Sequence, residues 1–412
     1  MPALQPARGT QDLLPETARR HRMVSETARR LGELYGFAEI ATPIFEFTEV
    51  FSRPIGEHTD IVSKEMYNFT DRGGEELTLR PENTAGVVRA VLSNGLTQSI
   101  PLKYFYSGPM FRYERPQRGR FRQFHQIGVE ILGVAQAQAD VECIALAWRI
   151  LKELGIDKNV ELQVNTLGDA PSRARYRAIL VDYYTSHRSK LSEDSQRRLT
   201  ANPLRILDSK DPGDIEINAS APTYDMYLNE ESNDFFHRVL HGVGQLGIIE
   251  TKHNPRLVRG LDYYAHTVFE FVTTDLGAQG TVLAGGRYDG LVELMGGPQM
   301  PGIGWAAGIE RLALLIAEPP TAPRAIALVP IGEAAEAAAL DILQSLRAAG
   351  IRAEMAYRGN LRRRMERANR IGARAAVIIG DNDLAQGVAQ VKNLATGEQE
   401  AVPLPDVAGR LG

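Results

Sequence analysis

"FRYERPQRGRFRQFHQIGVEILG", Phe111 to Gly133, is the stretch that decides how the chain is read. Two strand-like runs, "PLKYFYSGPMFRYE" and "RFRQFHQIGVEILG", meet at "RPQRGR", a loop of proline, glycine and positive charge. On the second run, alternation predicts Phe124, Gln126, Gly128 and Glu130 on one face, which carries a ring, an amide, a gap and a carboxylate. Arg112 lies on the first run, and Arg120 and Arg122 on the far side of the loop. Arginines for phosphate oxygens, a ring for base stacking and polar groups for orientation are the parts of a nucleotide site. The same residues also fit a solvated hairpin with arginines on its rim, and composition alone leaves both readings open.

Upstream, residues 16–35 read as a helix closed by Gly36. "FAEIATPIFEFTEVF" follows, where Pro43 suits a strand edge or an interface rather than a central strand. "YNFTDRGGEELTLRPE" predicts a hairpin turning at Gly73-Gly74. Downstream, Val141, Ile144, Trp148, Leu151 and Leu154 repeat at helical spacing and Gly155 stops the helix. "VELQVNTLGD" alternates as a strand, and residues from about 171 to 240 read as a polar helical insertion without recognisable chemistry. Strands return from Val258, and "GIGWAAGIERLALLIAE" passes from a glycine-rich strand into an apolar helix. "PPTAPR", Pro319 to Arg324, reads as a linker. Beyond it, a β-α-β-α-β alternation with a final hairpin predicts a small, largely parallel α/β domain. The expected organisation is a core over 1–320 carrying the insertion, and a separate domain over 324–412.

The bulk properties exclude several classes. With 412 residues, 43% hydrophobic and 24% charged, this is ordinary globular composition for two or three domains. No apolar stretch approaches the roughly 20 residues that span a bilayer, and "MPALQPARGTQDLLPE" lacks a signal-peptide shape, so no membrane association and a cytoplasmic location are expected. Cys143 is the single cysteine, which excludes an intrachain disulfide and a cysteine-based zinc site; no metal site built from side chains is predicted. A net charge of −4 argues against binding nucleic acid by bulk charge. Arginines nonetheless cluster at Arg112 to Arg122 and at Arg358 to Arg374.

Four other stretches carry polar groups or glycines that interrupt the local pattern. In "TLRPENTAG", Glu82 and Thr84 follow Pro81 at a strand-to-helix junction, where they can bind an ammonium group or simply start the helix. In "LVRGLDYYAHTVFE", a buried Arg259 requires an anionic partner, either Asp262 or a ligand phosphate. If that run is extended, Tyr263 and Tyr264 face opposite ways and only one shares a pocket with a given ligand. In "AGGRYDGL" and "GIGWAAGIERL", Gly285, Gly286, Gly302, Gly304 and Gly308 mark close backbone approaches or bulges, with Arg311 following in the helix.

Taken together, these stretches resemble the histidyl-tRNA synthetases, members of the class II aminoacyl-tRNA synthetases. "FRYERPQRGRFRQFHQIGVEILG" is similar to the family's motif 2, "GIGWAAGIERL" to motif 3, and "FAEIATPIFEFTEVF" to motif 1. "RGLDYYAHTVFE" and "AGGRYDGL" resemble the two stretches particular to histidine enzymes, and "RGTQDLLP" their N-terminal start. "LRRRMERANRIGARAAVIIGDNDLAQGVAQVKNL" resembles their anticodon-binding domain. The resemblance implies an α+β protein: a class II antiparallel-sheet catalytic domain with a helical insertion, plus a C-terminal α/β anticodon-binding domain.

It also implies a reaction and its residues. L-histidine and ATP with Mg²⁺ would give histidyl-adenylate and pyrophosphate, and histidine would pass to the 3′ end of tRNA(His). Arg259 and Arg112 would serve catalysis at the α-phosphate, Glu114 would orient the adenine, Phe124 would stack on it, and Arg311 would hold the terminal phosphate. Glu82, Thr84 and Gln126 would hold the α-amino group. Glu130 and Tyr264 would read the imidazole, with Tyr263 beside them. Gln117 and Arg118 in the loop, and Arg363, Arg367 and Arg370 on one helical stripe continued by Arg374, are the tRNA-contact candidates. A homodimer through the Pro43 region is expected. Two departures stand out: Asn83 where the family usually has glycine, tolerable if the turn needs an unusual backbone angle, and Ala265-His266 after the tyrosines. A related group of regulatory subunits of ATP phosphoribosyltransferase shares the core, but it generally lacks the C-terminal domain and erodes the ATP-binding residues. This chain keeps Arg112, Arg259, Arg311 and that domain.

Overall fold

The computed structural model describes residues 4–56, 59–248, 251–277, 280–318 and 321–412, so Pro319 and Pro320 of the expected linker lie outside the described residues. Chain contacts separate two compact units, 1–319 and 320–412.

The strands of the first unit are β1 (Ala38–Glu39), β2 (Phe45–Phe47), β3 (Tyr67–Thr70), β4 (Glu76–Leu79), β5 (Leu102–Phe111), β6 (Gln123–Leu132), β7 (Glu161–Thr166), β8 (Thr251–His253), β9 (Ala265–Val272), β10 (Thr281–Arg287) and β11 (Gly302–Gly308). Eight form one sheet in the order β1-β5-β6-β11-β10-β9-β7-β8. Every pair is antiparallel except β1 with β5 and β7 with β8. The hairpin read from the sequence, β5 with β6, runs in register from Leu102↔Leu132 to Phe111↔Gln123. A small sheet, β2-β4-β3, stands apart.

The helices are α1 (Pro15–Leu34), α2 (Glu49–Ile55), α3 (Thr84–Ser93), α4 (Ala137–Glu153), α5 (Ala170–Ser186), α6 (Glu193–Ala201), α7 (Pro212–Asn218), α8 (Glu230–Gln245), α9 (Leu291–Leu294) and α10 (Ile309–Leu315). None in the described chain is long and apolar enough to cross a membrane.

Strand alternation gives the large sheet two different faces. Ile127, Val129 and Ile131 of β6, with Ile303, Trp305 and Ala307 of β11, enter a buried cluster with α1, α4, α8 and α10. Gln126, Gly128 and Glu130 alternate onto the opposite face. The expected α4 stripe is rotated: Cys143, Ile144, Ala147, Ile150 and Leu151 are fully buried, whereas Val141 and Trp148 only rim the cluster. The helical segment near 171–240 also divides. Phe236 and Val239 of α8 join the first cluster, while Tyr176, Tyr184, Leu204, Ile206 and Ile217 pack with Leu257, Tyr263 and Tyr264 on the other face.

One strand differs from expectation. Residues 257–264 are irregular, with a turn at Asp262 and Tyr263, and β9 starts only at Ala265. His266 has φ of +45° at a register shift, where Gly286 pairs with Val268 but Arg287 pairs with Ala265. This is a bulge, with a left-handed backbone that a histidine adopts only when its surroundings hold it. Its N–H donates to Gly168 O at 2.8 Å, and its carbonyl accepts from Leu167 N at 2.7 Å.

In the second unit, β12 (Ile326–Pro330), β13 (Ala353–Met355), β14 (Ala375–Ile379), β15 (Val388–Asn393) and β16 (Gln399–Pro403) lie in the order β13-β12-β14-β15-β16. The first three are parallel and the last two antiparallel. Its helices are α11 (Glu333–Ala348), α12 (Leu361–Arg370), α13 (Asp381–Ala385) and α14 (Val407–Leu411).

Arg287 and Asp140 form a fully buried ion pair that fastens β10 to α4, with Arg287 Nε 3.1 Å from Asp140 Oδ2. Asp289 and the carbonyl of Val134 take further guanidinium protons. Removing the carboxylate leaves a buried charge without its main partner. Asp140→Ala should therefore destabilise the first unit by roughly 3–5 kcal/mol in denaturant titrations; a loss below about 1 kcal/mol would show that the pair carries little of the packing.

Candidate active site

A cleft of about 600 Å³ opens on the face of the sheet opposite α4. Its lining contains Glu82, Thr84, Arg112, Glu114, Phe124 and Gln126 from one side. Arg259, Tyr263, Tyr264 and Arg311 line it from the other. The sequence-predicted residues thus meet in one place, with one exception: Glu130 lies beneath the cleft rather than on its wall, fully buried.

Glu130 is held by hydroxyls. Its Oε1 accepts from Thr84 Oγ1 at 2.7 Å and from Tyr106 OH at 3.4 Å, and its Oε2 accepts from Tyr288 OH. Burial pushes its carboxyl up to about 8, against the opposing pull of Tyr288 and Thr84. Two glycines make this arrangement possible. Gly304 pairs with Glu130, and a Cβ on it would stand 1.8 Å from Glu130 Oε2. Gly128 pairs with Tyr106, and a Cβ there would meet the Tyr106 hydroxyl at 2.3 Å. Tyr106 and Tyr288 were missed in the sequence; the glycine paired across from Tyr106 was the available signal.

Glu82 sits at the β4–α3 junction. Its carboxylate accepts from Thr84 N at 2.6 Å and Ala85 N at 3.0 Å, so it closes the helix start while facing the cleft. Burial raises its pKa. Asn83 has φ of −121°, an ordinary angle, so the tolerance invoked for asparagine is not needed. Its amide oxygen instead accepts from Thr42 Oγ1 at 2.6 Å and Arg80 at 3.3 Å. Gln126 Oε1 is buried without a hydrogen-bond partner in the protein.

The other end is cationic. Arg112 Nε donates to Pro81 O at 2.8 Å, and its guanidinium lies 5.4 Å from the Phe124 ring centre. Glu114 accepts from Arg120 NH1 at 2.8 Å and stands 3.9 Å from Arg112. The loop turns at Gly119, whose Cα faces Arg311, and leaves Gln117 and Arg118 exposed at its tip. Burial, and Arg120 nearby, lower the pKa of Arg311.

Arg259 pairs with Glu270 rather than with Asp262. Its NH1 lies 3.2 Å from Glu270 Oε2, which also accepts from Thr281 Oγ1 at 2.9 Å. Asp262 accepts from Asn202 Nδ2 at 2.5 Å instead. The Arg259 Nε is buried without a partner, and the guanidinium lies 5.9 Å from the Tyr264 ring centre. Because 257–264 is not extended, Tyr263 and Tyr264 both reach the cleft, their rings 4.7 Å apart, which overturns the expected division between faces. Burial pushes the Tyr264 hydroxyl up to about 12, opposed by Arg259. His266 faces away, its ring 5.1 Å from Phe235, and burial lowers its pKa.

The insertion, expected to carry no chemistry, grips this loop. Arg205 NH1 donates to Gly260 O at 3.1 Å, Arg256 Nε donates to Asn218 O at 2.7 Å, and Leu207, Asp208 and Lys210 line the cleft. In the second unit, Arg363, Arg367 and Arg370 are exposed on α12. Arg374 lies beyond the helix and donates to Leu411 O, so it leaves the predicted stripe. Arg364 is buried, donating to Gly359 O at 2.7 Å.

The chain is similar to known proteins. A family model described as histidyl-tRNA synthetase matches residues 9–174 and 195–312, and one described as anticodon binding domain matches 325–411. A protein named Histidine--tRNA ligase from Gluconacetobacter diazotrophicus is 58% identical over 100% of both chains. One of the same name from Rhodospirillum rubrum is 57% identical, covering 98% of this chain and 97% of its own. A crystal structure of apo S. aureus histidyl-tRNA synthetase superposes with a TM-score of 0.83 at 36% identity, covering 99% of this chain and 100% of that one.

Glu130 gives the cleft a pH signature. With its pKa raised in the folded state from 4.5 to about 8, the native protein holds a proton that the unfolded chain releases. This contribution to stability is complete below about pH 4.5 and is lost as pH rises towards 8. Glu130→Gln should flatten that decline, so the difference in melting temperature between wild type and variant should change steadily across the window. A constant offset would mean that Glu130 titrates normally.

Proposed function

Because the chain belongs to the histidyl-tRNA synthetase family, we propose that the cleft divides the work of a histidine–tRNA ligase between an acidic, hydroxyl-lined end for the amino acid and a cationic end for the nucleotide. The overall reaction is histidine–tRNA ligation. L-Histidine and ATP give histidyl-adenylate and pyrophosphate, and the histidyl group then passes to the 3′ end of tRNA(His).

The observation that carries the reading is that one cleft is lined by Glu82, Thr84 and Gln126 together with Arg112, Arg259 and Arg311, and Glu130 is buried beside Thr84. Glu82, Thr84 and Gln126 hold the α-ammonium group. A buried amide oxygen without a protein donor supports this reading, since a substrate donor satisfies it. Tyr264 and Glu130 read the two imidazole nitrogens, Tyr264 from the wall and Glu130 from below through a lone pair left by its hydroxyl donors, with Tyr263 packed beside them. An apolar amino acid leaves those buried groups unpaired, so rejection is strong without editing.

At the other end, adenine stacks on Phe124, Glu114 accepts from its amino group, and Arg311 meets the terminal phosphate. The histidine carboxylate supplies the nucleophile: its oxygen bonds to the α-phosphorus as the bond to the β-phosphate oxygen breaks, and pyrophosphate leaves with the electron pair. Arg112 and Arg259 stabilise the charge gathered on the α-phosphate oxygens. Glu270 restrains one edge of Arg259 and leaves its buried Nε for the substrate, which supports that role. ATP enters with magnesium, which neutralises charge on the outgoing pyrophosphate when bound. Asp208 and Glu270, carboxylates that line the same cleft, are hard donors of the kind that would hold this cation. In the second step a hydroxyl of the tRNA's 3′-terminal adenosine attacks the histidyl carbonyl and AMP leaves.

The tRNA meets the core, residues 1–320 with the 171–240 insertion, through Gln117 and Arg118, both exposed at the loop tip. The anticodon-binding domain, residues 324–412, contributes phosphate contacts from Arg363, Arg367 and Arg370. We place the reaction in the cytoplasm, with the rest of translation. The chain acts as a homodimer. In β2 the usual polarity is reversed: Phe45 and Phe47 point outward, while Glu46 is buried against Arg89 Nε at 3.1 Å. Exposed Ile44 and Phe69 extend the apolar patch, which suits a second copy.

In ATP–pyrophosphate exchange across the twenty amino acids, histidine alone should support turnover. Arg259→Ala should slow single-turnover adenylate formation by about 100-fold or more while leaving histidine affinity nearly unchanged; an unchanged rate removes Arg259 from the α-phosphate. Exchange with no amino acid despite tight histidine binding would move the chain to a regulatory role. Phe47→Glu should shift sedimentation towards the monomer at micromolar concentration, and an unchanged dimer would exclude this patch from the interface.

A further inference from the structure

Three side chains from three elements converge at the border of the cleft: His21 of α1, His125 of β6 and Glu310 of α10, the last also part of the cleft lining. His125 Nδ1 is 2.8 Å from Glu310 Oε1, and the rings of His21 and His125 meet edge to face at 5.5 Å. One donor atom from each residue lies within 4.8 Å of the other two. We propose that His21, His125 and Glu310 bind a divalent transition-metal cation of the zinc class.

The donor set selects the ligand. Two imidazoles and one carboxylate suit a borderline cation such as zinc, whereas magnesium prefers oxygen donors alone. Bonds of about 2.0–2.2 Å put tetrahedral ligands about 3.4 Å apart, so the widest pair must close by a little over 1 Å, within reach of small side-chain rotations. His21 and Glu310 are buried, while the His125 side chain is 26% exposed, which leaves an approach for the ion and a position for water. Glu310 contributes a carboxylate to the set. Its oxygens already accept the His125 backbone N–H at 3.0 Å, so the carboxylate is fixed in place before a metal arrives. A bound ion would therefore fasten α1, β6 and α10 together, next to Phe124, Gln126 and Arg311.

The test uses full-length, metal-stripped protein. Zinc titrated by calorimetry should bind one equivalent per chain, zinc should raise the melting temperature, and magnesium should do neither. Cobalt should give the intense visible absorption of a tetrahedral site. His21→Gln, first shown to be folded by its melting curve without metal, should weaken zinc binding at least tenfold. His237→Ala/His241→Ala, which removes an exposed pair one helical turn apart on α8, should leave binding unchanged. The proposal is overturned if wild type binds zinc no tighter than roughly 1 mM. It is equally overturned if cobalt shows only octahedral absorption, if His21→Gln binds as wild type does, or if the α8 variant is the one that loses the ion.

Discussion

A carboxylic acid buried in the middle of a β-sheet is the constraint on which this structure depends. Glu130 has no exposed surface, so its oxygens must be held by donors from within the protein. The donors come from distant parts of the chain: Thr84 at the start of α3, Tyr106 across the strand pair, and Tyr288 after β10. Room for them comes from removing side chains at Gly304 and Gly128. The glycines that look like weak points in β6 and β11 are therefore required by the groups that lie on them. This cluster also ties the strand-to-helix junction carrying Glu82 to the centre of the sheet, and so fixes one end of the cleft.

The other end is organised by restrained arginines. Arg112 is held by the Pro81 carbonyl, Arg259 by Glu270, and Arg120 by Glu114. A guanidinium fixed before substrate arrives loses little freedom when a phosphate binds, which is how positive charge becomes useful in a transition state. The loop bearing Arg259 has no strand pairing of its own over 257–264 and depends on Asn202, Arg205 and the packing of Ile206 and Ile217. The helical insertion is thus part of the frame of the cleft, and what touches it can reach Arg259.

Much of the fold was legible because it is written in local periods. The β5–β6 hairpin, α1, α4, the glycine-rich β11 leading into α10, and the α/β alternation of the second unit all follow from alternation, helical spacing and stop signals. The candidate residues were legible because charged and aromatic groups interrupt those periods. Legibility ended where a residue's role is set by a partner far along the chain. Asp262 is close to Arg259 in sequence but bonds to Asn202, and Glu270, eleven positions on, takes its place. Arg374 continues a helical count that the chain itself ends at Arg370.

The sequence by itself determined the order of elements, the two-part organisation, the family and most of the residues that line the cleft, because residue type and short-range spacing are properties of the chain alone. The tertiary structure decided which side chains face each other. It put Tyr263 and Tyr264 in one cleft through an irregular segment rather than a strand, and Glu130 below that cleft rather than on its wall. It also brought His21, His125 and Glu310 together across nearly 290 residues of chain. Those outcomes depend on strand register, bulges and packing between distant segments, and no local pattern encodes them.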